Sequence, residues 1–171
     1  KKSFTYYQLQ SLTFDKESLK KLQGEKTSDI KTLTENIVQE MGLNSKRQDD
    51  LMVSIENANL LIPSKYYMEI LREIVENAIQ FSPKRTVIRI VGGVEDDHYA
   101  LTIRDEGMGM TSDQISRIGA FQKFNQDLND NSGMGLGLVN AKNILALFNG
   151  SLLIKSSLGL ETTVRISIPL A

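Results

Sequence analysis

The sequence predicts an α/β two-layer sandwich, a mixed sheet of about five strands with three main helices on one face and one long irregular loop. Three observations lead there. Apolar residues recur at helical spacing in three stretches, they alternate with period two in about five others, and the two patterns come in blocks along the chain. At 171 residues the chain holds one ordinary domain with room for a short appendage.

Residues 1–26 are mixed and polar, with only a ragged series in Phe4, Tyr6, Tyr7, Leu9 and Leu12, so the domain proper is placed at 27–171. The first clear helix follows Thr27 and Ser28, either of which offers a capping hydroxyl. Ile30, Leu33, Ile37, Val38 and Met41 recur at its spacing, and Gly42 suits a left-handed stop. Leu51, Val53 and Ile55 then alternate as in a half-buried strand. Pro63 and Ser64 open a second helix with Ile70, Leu71, Ile74, Val75 and Ala78 as its buried stripe, and Ser82 and Pro83 end it.

From there the period changes from 3.6 to 2. Residues 86–91 are β-branched and apolar, and Tyr99, Leu101 and Ile103 alternate with Ala100, Thr102 and Arg104. The segment 92–97, Gly-Gly-Val-Glu-Asp-Asp, reads as the turn between them. An irregular region follows from Asp105 to Gly133, with a short helix over 111–118. Loops that long inside a compact domain are lids, binding loops or disorder. Gly137 leads a third helix through Val139, Ile144, Leu145 and Phe148, stopped by Gly150. Strands over 151–156 and 163–168 finish the chain, the latter with Val164, Ile166 and Ile168 on one face.

Composition excludes several functions. Lys and Arg total 20 against 21 Asp and Glu, a net charge of −1, which removes nucleic-acid binding driven by gross positive charge. There is no Cys, so disulfides, thiol catalysis and Cys-ligated zinc are out, and the single His98 removes His–His and His–Cys pairs. No apolar run approaches the length of a membrane span. The chain reads as a soluble fragment of something longer.

Three elements carry chemistry. Asp105-Glu106-Gly107-Met108-Gly109 follows a strand, and Gly133-Met134-Gly135-Leu136-Gly137-Leu138 precedes a helix. Such glycines let backbone N–H groups approach an anion, and the helix dipole adds a favourable field. Either cluster alone reads equally as a linker with a helix cap. Neither is a Rossmann fingerprint or a P-loop, because the third glycine and the Gly-Lys-Ser/Thr are missing. On the second helix, Glu73 and Asn77 lie four apart and project from one face. An Asn carbonyl beside a carboxylate can bind Mg²⁺, although the pair alone also fits a solvated polar face.

Taken in order, these elements resemble the ATPase superfamily shared by histidine kinases, gyrase-type topoisomerases and certain chaperones. Within it they are most similar to the catalytic ATP-binding domain of sensor histidine kinases. Residues 73–81 match that family's N box, 105–110 its G1 box, Phe121-Gln122-Lys123-Phe124 its F box and 133–138 its G2 box, while 150–169 resembles its final hairpin. The resemblance covers roughly residues 45–171 and implies ATP and Mg²⁺ as ligands.

The resemblance also implies roles for individual residues. Asp105 accepts a hydrogen bond from the adenine amino group, and Gly107 and Gly109 let the chain pass close to the base, with Met110 completing that box. Asn77 ligates Mg²⁺. Gly133, Gly135, Gly137 and the N–H of Leu138 hold the triphosphate, Lys123 neutralises phosphate charge, and Glu73 stands where related ATPases keep the carboxylate that polarises water. Two departures remove cations: the family often has Lys or Arg where this chain has Gln80, and Arg where it has Gln126.

The family's phosphoacceptor His lies on a helical hairpin, and no such helix exists here. His98 reads as a surface residue, and residues 1–12 resemble the tail of that hairpin's second helix, making 1–26 its end plus a linker. The expected partners are therefore that hairpin of the same protein and a response regulator. The expected whole is a homodimer with this part cytoplasmic and touching neither membrane nor nucleic acid. Alternatives are a degenerate nucleotide-binding switch module, and a gyrase- or mismatch-repair-type ATPase or anti-sigma serine kinase, against which the F box weighs.

Overall fold

The computed structural model describes residues 16–120 and 136–171. A short helix α1 (Lys16–Gln23) leads to α2 (Ile30–Ser45), a 3₁₀ turn (Gln48–Asp50) and β1 (Leu51–Ile55). Then come α3 (Ser64–Phe81), β2 (Ile88–Glu95), β3 (His98–Asp105), α4 (Ser112–Ala120), α5 (Leu136–Leu147), β4 (Ser151–Ser157) and β5 (Glu161–Pro169). The strands form one sheet in the order β1-β2-β3-β5-β4, parallel between β1 and β2 and antiparallel elsewhere. This is the mixed five-stranded sandwich expected from the patterning.

Strand alternation decides which face is covered. Ile88 and Ile90, Tyr99, Leu101 and Ile103, and Val164, Ile166 and Ile168 point inward and are buried with the apolar stripes of α2, α3 and α5. Met52, Val91 and Leu153 lie on the uncovered side and are about half exposed. The buried hydroxyls of Thr34 on α2 and Tyr67 on α3 meet at 2.6 Å, one donating to the other inside the core.

Several local boundaries differ from the sequence reading, each for a physical reason. Asp29, with φ 54°, caps α2 by accepting from the Thr32 N–H, while Thr27 is buried and donates its hydroxyl to the Ile62 carbonyl at 2.5 Å. The helix runs past Gly42 to Ser45, and Lys46, with φ 56°, takes the left-handed position. The Lys46 and Arg47 N–H groups return to the Leu43 and Gly42 carbonyls in a Schellman closure. Gly42 is small because the Leu51 side chain and Gln48 backbone press against it. The β2–β3 turn contracts to Asp96-Asp97, since β2 continues through Gly92 to pair Glu95 with His98. The Tyr99 ring lies across Gly92 and donates to the Glu56 carbonyl at 2.8 Å, leaving no room for a Cβ there.

The segment assigned upstream of the domain reaches back onto it. Leu22 of α1 packs against the core, and the Gln23 side chain donates to the Leu147 carbonyl at the end of α5 at 2.6 Å.

Arg47, in the polar stretch between α2 and β1, is buried to 4% exposure. Its Nε donates to Asp50 Oδ2 at 2.7 Å. One terminal nitrogen donates to the Ile79 and Ser82 carbonyls and Ser82 Oγ, all at 2.9 Å, and the other to the Pro83 and Thr86 carbonyls at 2.8 and 3.2 Å. The guanidinium thus fills the carbonyl end of α3 and the approach to β2. Replacing Arg47 by Ala strands these buried acceptors and should cost about 3–5 kcal/mol in urea unfolding. Arg47→Lys should recover only part, because an ammonium lacks the planar fork. A loss under about 1 kcal/mol for the Ala variant would show that water replaces the clamp.

Candidate functional site

The apolar period of α3 carries Ile74 and Ala78 inward, and Asn77, turned to one side of Ile74, lies at the edge of that stripe. Opposite, β3 runs down to its last residue, Asp105. Between α3, β3, β5 and the first turn of α5 lies a pocket lined by Ile74, Asn77, Ala78, Phe81, Ile103, Asp105, Gly109, Met110, Leu138, Thr162 and Val164, enclosing about 430 Å³ including its mouth. Its walls are mostly apolar, and its polar groups are few: Asn77 at the rim, Asp105 and Thr162 on the floor.

Asp105 is the chemically unusual member. It is 6% exposed, and burial pushes its carboxyl up to about 6, against the opposing pull of the Gly107 N–H and the Arg47 charge, with Glu161 adding to the rise. A carboxylate held in such a place offers a strong acceptor to any N–H that enters.

The loop after Asp105 is fixed by close backbone approach. The Met108 N–H donates to the Phe81 carbonyl at 3.1 Å, and a Cβ on Gly107 would come within 2.5 Å of the same oxygen. Gly109, with φ 65°, lies against the Ser157 carbonyl, and a Cβ there would collide with it. These glycines therefore seat the loop on α3 and on the β4–β5 turn, a reason for them beyond proximity to a ligand. The same seating is held by Gly159 N–H to the Met108 carbonyl at 2.7 Å and Met110 N–H to Ser156 Oγ at 2.8 Å.

Of the residues singled out in the sequence, Asn77, Asp105, Gly109, Met110 and Leu138 line this one pocket. Gly107 supports it from beneath, and Gly137 is buried in the first turn of α5. Glu73 lies one turn before Asn77 on α3, outside the lining, with its Oε2 shielded from solvent. Lys123, Gly133, Gly135, the F-box residues 121–124 and Gln126 lie outside the described residues. Gln80 is exposed. His98 opens β3, at the opposite end of that strand from Asp105. Thr162 was not anticipated, although the alternation of Val164, Ile166 and Ile168, extended by one step, puts it on the inner face. Its place beside Asp105 follows from the β3–β5 register.

The family described as histidine kinase-, DNA gyrase B-, and HSP90-like ATPase matches residues 64–171, a narrower span than the motifs suggested. Among curated relatives, the sensor protein kinase GraS of Staphylococcus aureus (strain MRSA252) is 31% identical over 95% of this chain and 44% of its own length. Sporulation kinase C of Bacillus subtilis is 28% identical over 94% of this chain and 35% of its own length. The chain thus spans less than half of these relatives. Among solved structures, the Acinetobacter baumannii histidine kinase AdeS superposes with a TM-score of 0.71 at 18% identity, covering 98% of this chain and 76% of that one. The mycobacterial sensor histidine kinase MprB gives 0.70 at 18% identity, covering 86% and 97%.

Asp105 makes the pocket's chemistry costly to the fold. Its carboxyl titrates at about 6 when folded, above the ordinary 3.8, so the folded state binds more protons between those values and its stability falls as pH rises through them. Asp105→Asn should therefore raise the melting temperature of the ligand-free protein above pH 6, with the gain fading to nothing below about pH 4. A difference between variant and parent that stays constant with pH would mean the carboxyl is not strained by burial.

Proposed function

Because the chain belongs to the family of histidine kinase-, DNA gyrase B-, and HSP90-like ATPases, we propose that it is the Mg-ATP-binding catalytic domain of a two-component sensor histidine kinase. The observation that carries this reading is the single buried carboxylate at the base of an apolar pocket. A flat ligand with apolar faces and one amino edge, such as adenine, satisfies Asp105 and covers Ile74, Ala78, Ile103, Leu138 and Val164 at once.

The other residues take roles around that anchor. Gly133, Gly135, Gly137 and the Leu138 N–H would hold phosphate oxygens at the start of α5, where unpaired N–H groups and the helix field favour an anion. Asn77 would hold Mg²⁺ through its amide oxygen. Among the described residues no group of three or more His, Asp or Glu could hold a metal alone, which fits an ion bound chiefly by phosphate and water with one side chain. When bound, Mg²⁺ neutralises phosphate charge. Lys123 would add a second positive charge there. Glu73, one turn from Asn77 with an oxygen shielded from bulk water, would accept or orient a proton beside the transferring group.

The whole protein would transfer the γ-phosphoryl group to a His on a dimerisation hairpin outside this chain, with residues 1–26 as the end of that hairpin and a linker. It would then pass the group to a response regulator, as a homodimer with this domain in the cytoplasm. No helix among the described residues is long and apolar enough to cross a membrane. Gln80, exposed on α3 without a cation to offer, favours a second reading in which the domain binds nucleotide as a switch without transferring phosphate.

Two measurements test these roles. Asp105→Ala should weaken adenosine and Mg-ATP alike by about 10- to 150-fold in calorimetry. Asn77→Ala should weaken Mg-ATP while leaving adenosine within about twofold, and equal losses for both would remove Asn77 from the metal.

Transfer is tested separately. Seven steps of strand separate His98 from Asp105, roughly 24 Å, so His98 is out of line for a phosphoryl group held near this pocket. The 171 residues incubated with Mg-ATP should carry no acid-labile phosphate, and supplying a His-bearing hairpin should restore it, more efficiently when tethered. Labelling of His98 would overturn the site, and binding without transfer to the hairpin would leave the switch reading.

A further inference from the structure

The pocket floor is one row of side chains crossing three strands. The registers set Ser156 of β4 opposite Thr162 of β5, and Thr162 opposite Asp105 of β3. Thr162 is buried to 8% exposure and lines the pocket, whereas Ser156 sits one strand further out, behind it.

The hydrogen positions along this row follow by elimination. Ser156 Oγ lies 2.7 Å from the Glu161 carbonyl, which can only accept, so the single Ser156 proton goes there. The Met110 N–H, 2.8 Å away, can only donate, and Ser156 accepts it. The third contact of Ser156 Oγ, Thr162 Oγ1 at 2.9 Å, must then be made with the Thr162 proton. Thr162 then has no proton left for the pocket and can offer it only lone pairs. Beside it, Asp105 is an acceptor whenever it is ionised.

We propose that Ser156, without touching the ligand, is the positioning residue that sets base selectivity, by holding the Thr162 proton outward so that the floor beside Asp105 presents acceptors only. This rests on the nucleotide reading given above and specifies which purine edge the site takes. An amino group at the purine 6-position meets acceptors and donates to them. A carbonyl oxygen at the same position meets lone pairs and is repelled. Removing the Ser156 hydroxyl frees Thr162 to rotate and donate to that carbonyl, while Asp105 takes the neighbouring ring N–H of a 6-oxopurine.

The experiment is a calorimetric comparison of Mg-ATP and Mg-ITP binding at pH 8, where Asp105 is ionised, for the parent, Ser156→Ala, Ser156→Thr and Thr162→Val. The parent should prefer ATP. Ser156→Ala should lower the ATP:ITP affinity ratio by about tenfold, and Ser156→Thr, which keeps the hydroxyl, should restore it. Thr162→Val, which removes the lone pairs while keeping the shape, should also lower the ratio, and it serves alone if Ser156→Ala fails to fold.

A merely structural Ser156 would weaken both nucleotides equally and leave the ratio unchanged. That result in a parent that binds ATP overturns this proposal alone, as does a parental ratio in Thr162→Val. A parent that binds neither nucleotide overturns this proposal and the nucleotide reading together.

Discussion

The rest of the structure depends on one buried guanidinium. A helix that ends next to a functional pocket must satisfy its last carbonyls without flooding the region with water. Here α3 ends at Phe81 with Arg47 donating to Ile79, Ser82, Pro83 and Thr86, so the helix end, the turn and the entry to β2 are gathered onto one planar group. Asp50 completes the arrangement. The hydrogen bond from Arg47 holds its carboxyl below the usual carboxylate range, with a smaller contribution from the Arg85 N–H. The clamp matters to the site because Phe81 then offers its carbonyl to Met108, which seats the loop following Asp105. The same positive charge also moderates the cost of burying Asp105.

From this anchor the pocket is built in two halves. The helical half, Ile74, Asn77, Ala78 and Phe81, comes from a single stretch of α3, whose 3.6-residue period fixes it. The sheet half, Ile103, Asp105, Thr162 and Val164, comes from two strands far apart in sequence and brought together by antiparallel pairing. Leu138 on α5 closes the remaining side and is itself buried. The arrangement accepts an energetic penalty at Asp105 in return for a strong acceptor in a place that water reaches poorly.

Local signals in the sequence made the helices from α2 onward, the strands and the ends of β3 and α3 legible, because period and punctuation are properties of neighbouring residues, whereas α1 lies in a stretch too polar to show one. Asn77 and Asp105 were found for the same reason: each sits in a short motif attached to a well-marked element. Arg47 was not legible, since its carbonyl partners lie 32 to 39 residues further along the chain. Nor were the reasons for several glycines. Gly42 looked like a helix stop and Gly92 like a turn, whereas each makes room for a neighbour, Leu51 in one case and Tyr99 in the other. The left-handed positions went instead to Lys46 and Asp96. Thr162 lay within reach of the alternation rule, but its importance depends on register with β3, which no single-strand pattern contains.

The way Gly109 leans on Ser157 bears on how such a domain can change over time. The loop 107–110 and the β4–β5 turn share a backbone contact and two hydrogen bonds, Gly159 to Met108 and Met110 to Ser156. Neither can be lengthened, shortened or transplanted without the other, because a one-residue insertion in the turn would carry the Gly159 N–H away from the Met108 carbonyl. Variation in lineages descending from this chain should therefore change the two segments jointly, and a chimaera that exchanges only one of them would inherit a misfitted seam.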